Sequence, residues 1–205
     1  SKTIRRTLID MALRRQRPGT GSERKFLITR TTRLIWPDLT TILKPIPWAV
    51  VGAVATRLYM PERTTQDVDI IIRFEDRQKV WRKLKMAGFV YQGELNIGGT
   101  SWISPNNEII DILEGKETWL SSALAEAQTN RDAQGLPILP LPYLVLMKFQ
   151  AGRTQDLSDI TRMLGQADAA QLNATRALFA EYHPQDIEDL ESLIVLGQLE
   201  MQRLI

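Results

Sequence analysis

Hydrophobic and polar residues follow different periods in different parts of the chain. Residues 4–14 place apolar side chains at helical spacing, whereas residues 48–113 contain short apolar runs rich in β-branched residues. From about residue 116 onward helical spacing dominates. Because helices and strands differ in side-chain period, this order predicts an α+β fold. We expect three parts, which are a basic N-terminal arm (1–43), an α/β core (44–115) and a helical C-terminal lobe (116–205).

The core region begins with a pattern typical of a strand, a glycine turn and a helix. The sequence WAVVGAVATRLYM, residues 48–60, starts as an apolar run, meets Gly52 and continues with helical spacing until Pro61. A strand is then predicted at 67–74 and an amphipathic helix at 75–86. Further β-like runs are expected at 89–95, 100–104 and 108–113, and C-terminal helices near 117–128, 142–152, 156–166, 168–181 and 185–203.

Two aspartates stand at the front of the strand predicted at 67–74. Asp67 and Asp69 point to the same face of that strand, with Cα atoms about 6.6 Å apart. Asp111 lies in another apolar β-like run and can join them if the two strands pair. By itself it could equally be a salt-bridge partner. Because buried carboxylates need compensation and carboxylate oxygens suit Mg²⁺ or Mn²⁺, the three aspartates are candidate metal ligands for displacement at phosphorus.

The glycine turn ahead of this strand is a candidate phosphate site. A helix that begins after Gly52 would offer free backbone N–H groups and the positive end of its dipole. The small residues Gly52 and Ala53 would let a phosphate approach the backbone closely.

Composition narrows the classes of protein that the sequence can encode. Apolar residues make up 43% and charged residues 24%, which is ordinary globular composition. The absence of cysteine excludes disulfides and thiolate metal sites, and the only histidine, His183, is expected at the surface. No apolar run has transmembrane length and no signal peptide is recognised, so we expect a cytoplasmic protein without a membrane partner.

The formal net charge of +2 conceals a basic N-terminal arm. Residues 1–33 contain ten lysines and arginines but only two acidic residues, Asp10 and Glu23. Such an arm can contact the phosphates of an RNA, and it can equally be a solvated charged segment. Composition leaves both interpretations open.

The segment VVGAVATRLYMPERTTQDVDIII resembles the signature of the nucleotidyltransferase superfamily, whose palm is like that of DNA polymerase β. It is most similar to small bacterial members related to the AbiEii-type toxins of toxin–antitoxin pairs. In that signature a glycine pair and a helix precede R-x-T-x-D-φ-D, where φ is apolar, and a later strand carries a third aspartate. Here Gly52-Ala53 matches the glycine pair, Arg63, Thr65, Asp67 and Asp69 match the second block, and Asp111 matches the third aspartate.

A second block in the helical region resembles the same subgroup. The sequence LPLPYLVLMKFQAGRTQDLSDITRML contains Lys148, Ala151, Arg153, Asp156 and Asp159 at the matching positions. The resemblance implies that Lys148 contacts nucleotide phosphates and that Asp156 supports it. From the residues alone, Lys148 could extend along the edge of the core and Arg153 could pair with Asp156. Asp159 is more typical of a structural or capping residue than of a catalyst.

The resemblance implies an α+β fold with a nucleotidyltransferase-like palm, a small mixed sheet with flanking helices, and a helical C-terminal lobe. It also implies Mg²⁺- or Mn²⁺-dependent transfer of a nucleotidyl group from a nucleoside triphosphate to an acceptor hydroxyl. The candidate acceptors are RNA, such as a tRNA end, a protein, or a small molecule such as an aminoglycoside. A toxin with a partner antitoxin protein is a further expectation.

The alternative is a catalytically inactive module of the same fold that binds a nucleotide or a protein. Ala53 favours it, because the second glycine position here carries a methyl group. Retention of all three aspartates favours the enzyme.

Overall fold

The computed structural model describes residues 2–15, 35–60, 65 and 67–201, which divide into two compact units. The sheet unit contains the described residues 35–58, 65 and 67–140, and the helical unit contains 2–15, 59–60 and 141–201. Residues 116–140, which the sequence pattern groups with the C-terminal lobe, lie in the sheet unit.

The sheet unit is built on a five-stranded mixed sheet. The strands are β1 (Ala49–Val50), β2 (Asp67–Arg73), β3 (Val90–Glu94), β4 (Thr100–Ile103) and β5 (Ile109–Gly115), in the spatial order β1-β2-β5-β4-β3. The β2–β5 pair is parallel and the other neighbouring pairs are antiparallel. The predicted α+β class and small mixed sheet are therefore confirmed.

One face of this sheet is almost fully apolar and buried. It carries Val68, Ile70 and Ile72 from β2 together with Ile110 and Ile112 from β5, each no more than 1% exposed. Because side chains alternate along a strand, the residues between them, which include the three aspartates, point to the opposite face.

Short helices flank the strands of the sheet unit. They are α2 (Thr40–Leu43), α3 (Gly52–Ala55), a 3₁₀ turn (Thr56–Leu58), α4 (Arg77–Met86) and α5 (Leu120–Ala127). Helix α4 buries Val80 and Leu84, four residues apart on its apolar face, as its amphipathic pattern predicts. After this helix, Gly88 adopts a positive φ of 83°, which a glycine reaches without steric cost.

The segment that follows α5 extends the sheet beside β1. The backbone N–H of Val50 donates to the carbonyl of Pro137 at 2.7 Å, and the N–H of Leu139 donates to the carbonyl of Val50 at 3.0 Å. These hydrogen bonds explain why residues 116–140 belong to the sheet unit.

The helical unit contains α1 (Lys2–Arg15), α6 (Leu141–Ala151), α7 (Thr154–Gly165), α8 (Ala169–Tyr182) and α9 (Ile187–Met201). Its C-terminal helices confirm the prediction from the spacing of apolar residues. Asp168 begins α8 with a capping box, because its side chain accepts from the N–H of Gln171 and the Gln171 side chain accepts from the N–H of Asp168.

Charged side chains hold α1 within this unit. Arg5 of α1 donates to the buried carboxylates of Asp186, at 2.7 Å, and Asp189, at 3.0 Å. Its guanidinium also lies 3.9 Å from the ring centroid of Phe149. Within the described part of the chain, none of the helices combines the length and the apolar character that crossing a bilayer requires.

Candidate nucleotide and metal site

Parallel pairing of β2 and β5 brings the predicted acidic residues onto one face of the sheet. Asp69 is the direct Cα partner of Asp111, and Asp67 is the partner of Ile109. Paired residues on neighbouring strands lie about 4.8 Å apart. Asp67 precedes Asp69 by two residues and points to the same face. The strand pairing that the sequence required for Asp111 to join the other two aspartates is therefore present.

Asp111 carries a buried oxygen that lacks a hydrogen bond. Its Oδ1 atom has no hydrogen-bond partner among the described residues. An unpaired buried acceptor costs about 1–3 kcal/mol, and more when it is charged. A divalent cation would compensate this oxygen, so the environment of Asp111 fits a metal ligand.

Asp69 lies directly against the glycine turn. Gly52 has a φ of +63°, and a Cβ atom added to it would overlap the Asp69 carboxylate. The backbone N–H of Val51 donates to the carbonyl oxygen of Asp69 at 2.8 Å, so the turn is fixed to β2 by its backbone as well. Gly52 therefore serves two needs at once, a left-handed backbone conformation and room for a carboxylate.

Asp67 has a partner in the structure. Its Oδ1 atom accepts a hydrogen bond from the hydroxyl of Thr65. Arg63, which the sequence predicts beside Thr65, lies outside the described residues. Among the residues that the structure describes, no group of three or more acidic or histidine side chains is arranged to hold a metal ion. The strands thus bring three carboxylates to one face without closing them into a chelating cluster.

The helix after Gly52 is shorter than the sequence predicts. It remains α-helical only for residues Gly52–Ala55 and then tightens into a 3₁₀ turn. The hydroxyl of Thr56 donates to the carbonyl of Ala53 at 2.7 Å, a side-chain bond that competes with the regular helical pattern. Gly52 and Ala53 therefore stand in a single helical turn next to Asp69.

In the helical unit, Lys148 belongs to a buried charge cluster. The lysine is only 5% exposed, and its Nζ donates to Asp159 at 2.9 Å and to Asp156 at 3.3 Å. Arg153 donates to the other oxygen of Asp156 at 2.7 Å, while its side chain is 69% exposed. The structural pairing of Arg153 with Asp156, left open by the sequence, is the one observed.

Asp159 and Ser101 are residues near these groups whose contacts the sequence did not reveal. Asp159 is fully buried and is the nearer partner of Lys148. Its spacing of three residues from Asp156 places both carboxylates on one side of α7. That spacing is the signal from which the sequence could have suggested that the two carboxylates share a partner. Ser101 is the antiparallel partner of Asp111 on β4. Its position depends on the β4–β5 register, for which the sequence carries no local signal.

Comparisons with known proteins give a remote likeness to nucleotidyl-transferring enzymes. Neither a protein-family model nor a curated protein sequence matches the chain. Among solved structures, the antibiotic-resistance factor ANT(2″)-Ia is 18% identical, with a TM-score of 0.39 over 72% of this chain and 80% of that chain. The lincosamide antibiotic adenylyltransferase LnuA is 16% identical, with a TM-score of 0.41 over 70% of this chain and 97% of that one.

Terminal uridylyl transferase 4 from Trypanosoma brucei is also similar to this chain. It is 14% identical, with a TM-score of 0.28 over 96% of this chain and 69% of that one.

Proposed function

We propose that this chain is a nucleotidyltransferase that moves a nucleotidyl group from a nucleoside triphosphate to an acceptor hydroxyl with the help of Mg²⁺ or Mn²⁺. The observation that carries the proposal is the register of β2 and β5, which sets Asp69 opposite Asp111 with Asp67 on the same face. The unpaired buried oxygen of Asp111 supports it, because a cation would satisfy that atom.

Each of the three aspartates would take part in cation binding or in proton transfer. Asp67 and Asp69 would hold the cation, which when bound neutralises phosphate charge. Asp111 would bind the ion that activates the acceptor hydroxyl, or accept the proton of that hydroxyl. The acceptor oxygen then forms a bond to the α-phosphorus, the bond between that phosphorus and the bridging oxygen breaks, and pyrophosphate leaves. Catalysis would come from positioning and charge neutralisation.

The remaining residues of the proposal would bind the nucleotide. Gly52 and Ala53 would approach the triphosphate through their backbone, and Arg63 and Thr65 would contribute a fork of donors and a hydroxyl. In the helical unit, the ammonium group of Lys148, which Asp156 holds in place, would provide positive charge. Arg153 would provide an exposed guanidinium group. The favoured acceptors are RNA, for which a tRNA end is the narrower candidate, and a protein hydroxyl.

A comparison of isosteric variants tests the enzyme directly. Wild type, Asp69→Asn and Asp111→Asn are incubated with each α-labelled nucleoside triphosphate, Mg²⁺ and total RNA, and label transfer is measured. Both variants should lose transfer by at least about 100-fold, since each loses a carboxylate charge at unchanged size. Glu94→Gln is the matched control: it removes an exposed carboxylate at the end of β3 and should retain activity.

Equal transfer by the wild type and both variants would refute the assignment of the aspartates. The same assay separates the enzyme from a second candidate, an inactive nucleotide-binding module. That candidate is favoured by the open arrangement of the carboxylates and by the ion pairs that compensate Lys148. Nucleotide binding without transfer to any acceptor would identify the module.

Toxicity, with a cognate antitoxin, is the narrowest part of the proposal. Its support is the resemblance of the two sequence blocks to AbiEii-type proteins. Expression of the wild type should then arrest growth, and expression of Asp69→Asn should not.

A further inference from the structure

Helix α4 concentrates positive charge on one surface of the sheet unit. Its sequence, RQKVWRKLKM, contains five lysines and arginines and no acidic residue, whereas the whole chain has a formal net charge of only +2. Surface helices are commonly stabilised by alternating charges of opposite sign, three or four residues apart. Because α4 contains no acidic residue, it lacks pairs of opposite charge within the helix, and its positive charges lie next to one another.

Two of these side chains are available to a partner. Arg82 and Lys85 are exposed, and neither forms a hydrogen bond or an ion pair with a described residue. Lys79 is 69% exposed and has only a 3.8 Å contact with Asp76. Lys83 instead donates to the backbone carbonyl of Lys44 at 2.8 Å, which holds the ammonium of Lys83 beside the neighbouring loop.

Aromatic side chains lie next to this charge. Trp81 lies between Arg77 and Lys85 in a row with a spacing of four residues along α4. The ring centroid of Trp81 is 5.6 Å from that of Tyr91 on the edge strand β3, and Tyr91 is 40% exposed. The exposed ring of Tyr91 beside this cationic surface provides a stacking platform for a base, which neither a lipid headgroup nor an acidic peptide requires.

The α4 surface lies on the face of the sheet opposite to the three aspartates. Trp81 contacts Trp102 on β4 and donates to Glu114 on β5. Glu114 is three residues after Asp111 and therefore points to the other face of the strand. Binding at α4 is thus physically separate from the proposed nucleotide site, and it can be measured without nucleotide or metal.

A membrane surface fits these residues less well than a nucleic acid. Helices that bind bilayers insert an apolar face, but the apolar face of α4 is buried in the core through Val80 and Leu84, each fully buried. Met86, which is 82% exposed, is the large apolar side chain that α4 exposes.

From this combination of positive charge and the exposed ring of Tyr91 we propose that α4, with Tyr91 beside it, binds the phosphate backbone of single-stranded nucleic acid. Arg82, Lys85 and Lys79 contact the phosphates, and Tyr91 stacks on a base. The proposal does not depend on nucleotidyl transfer, and the chain can bind nucleic acid here even if it transfers nothing.

The experiment measures binding of the full chain to a fluorescein-labelled single-stranded RNA oligonucleotide of mixed sequence, without nucleotide or Mg²⁺, across a range of salt concentrations. In single strands each phosphate contact contributes about 0.7 to the slope of log affinity against log salt. Arg82→Gln/Lys85→Gln should therefore reduce the slope by about 1.4 and weaken binding several-fold. Tyr91→Leu should weaken binding and leave the slope unchanged.

Two matched variants separate local charge from net charge. Arg82→Lys/Lys85→Arg keeps both charges in place and should bind as the wild type does. Arg14→Gln/Arg15→Gln removes the same net charge from the exposed end of α1 and should keep the wild-type slope.

Several results would overturn the proposal. They are an absence of RNA binding by the wild type, equal losses in the α4 and α1 variants, and a loss in the α1 variant alone. Binding to phosphatidylserine-containing vesicles in place of RNA, with the same dependence on Arg82 and Lys85, would reassign the surface to membranes.

Discussion

Asp67 and Asp111 differ in how one carboxylate oxygen of each is hydrogen-bonded. Oδ1 of Asp67 accepts from Thr65, whereas Oδ1 of Asp111 is buried and accepts from no described residue. A buried acceptor without a hydrogen bond among the described residues is destabilising, and the cation proposed above would compensate it. The proposed cation site therefore depends more on the environment of Asp111 than on the D-x-D pair itself.

The close contact between Gly52 and Asp69 predicts that adding a single methyl group at Gly52 is harmful. Gly52→Ala should shift the Asp69 carboxylate, because the new Cβ atom would occupy its position. A displacement of this kind at a reacting centre costs about 100-fold in rate. A non-glycine residue in left-handed conformation also costs about 1–2 kcal/mol of stability. Label transfer and urea unfolding measure the two effects.

Gly135 offers the matched control for this substitution. It also has a positive φ, +84°, but a Cβ atom added to it would meet nothing within 4 Å. Gly135→Ala should therefore lose about 1–2 kcal/mol of unfolding free energy and retain transfer. If both alanine variants lost transfer alike, the contact with Asp69 would not be the cause.

The sequence predicted some of these residue contacts and could not predict others. Alternation along a strand is a local property, so the residue spacing alone is enough to put Asp67 and Asp69 on one face. The partners of Lys148 depend on the packing of α7 against α6, which no local period encodes. For that reason the sequence supports two interpretations of Lys148, and it suggests a structural or capping role for Asp159, which proves to be the nearer carboxylate.

At the scale of secondary-structure elements, two glycines determine how closely α7 and α9 pack. A Cβ atom on Gly165 would overlap the backbone of Gly197, and one on Gly197 would overlap the carbonyl of Thr161. In an exposed helix interior, glycine to alanine stabilises by about 1 kcal/mol. Here Gly197→Ala should instead destabilise by about 1–3 kcal/mol, because the two helices must separate.

Chemical denaturation followed by circular dichroism measures this change in unfolding free energy. Gln198→Ala is the control, since Gln198 is the next residue of α9 and is exposed. It should change stability by no more than about 0.5 kcal/mol. A stabilised Gly197→Ala variant would show that the helices do not cross at these glycines.

Elements with a clear local period were the easiest to predict. The strand β2 and the helix α4 both lie where the sequence pattern placed them, within a residue or two. The helix after Gly52 was predicted too long, because helical spacing of apolar residues does not reveal that Thr56 bonds back to Ala53. Side-chain hydrogen bonds of this kind change an element without changing its pattern.

On the scale of the whole molecule, sequence periodicity and compactness divide the chain differently. The change to helical spacing near residue 116 is real, since α5 is a helix. However, α5 packs against β2, and residues 137–139 pair with β1, so both stay with the sheet. Periodicity indicates whether a segment is a helix or a strand. The core that the segment packs into depends on contacts that are distant in sequence.

The pH dependence of stability is a whole-molecule property to which two glutamates of α9 contribute with opposite sign. Burial raises the pKa of Glu200 above its ordinary value. The folded state therefore binds a proton that the unfolded state has lost, and stability falls as pH rises from about 4.3 through the raised pKa of Glu200. Hydrogen bonding to Arg176 lowers the pKa of Glu191, so that its contribution is present at neutral pH and is lost on acidification.

Matched glutamine variants separate these two contributions. At pH 7 Glu200→Gln should be more stable than wild type, because the half-buried position no longer holds a charge, and this gain should vanish as pH falls towards about 4. Glu191→Gln should be less stable at pH 7 by about 0.5 kcal/mol, a small value because water screens this exposed pair. That loss should also disappear in acid. Urea unfolding of the wild type and both variants at several pH values measures these differences, and shifts of the same sign for both variants at pH 7 would contradict the assignment.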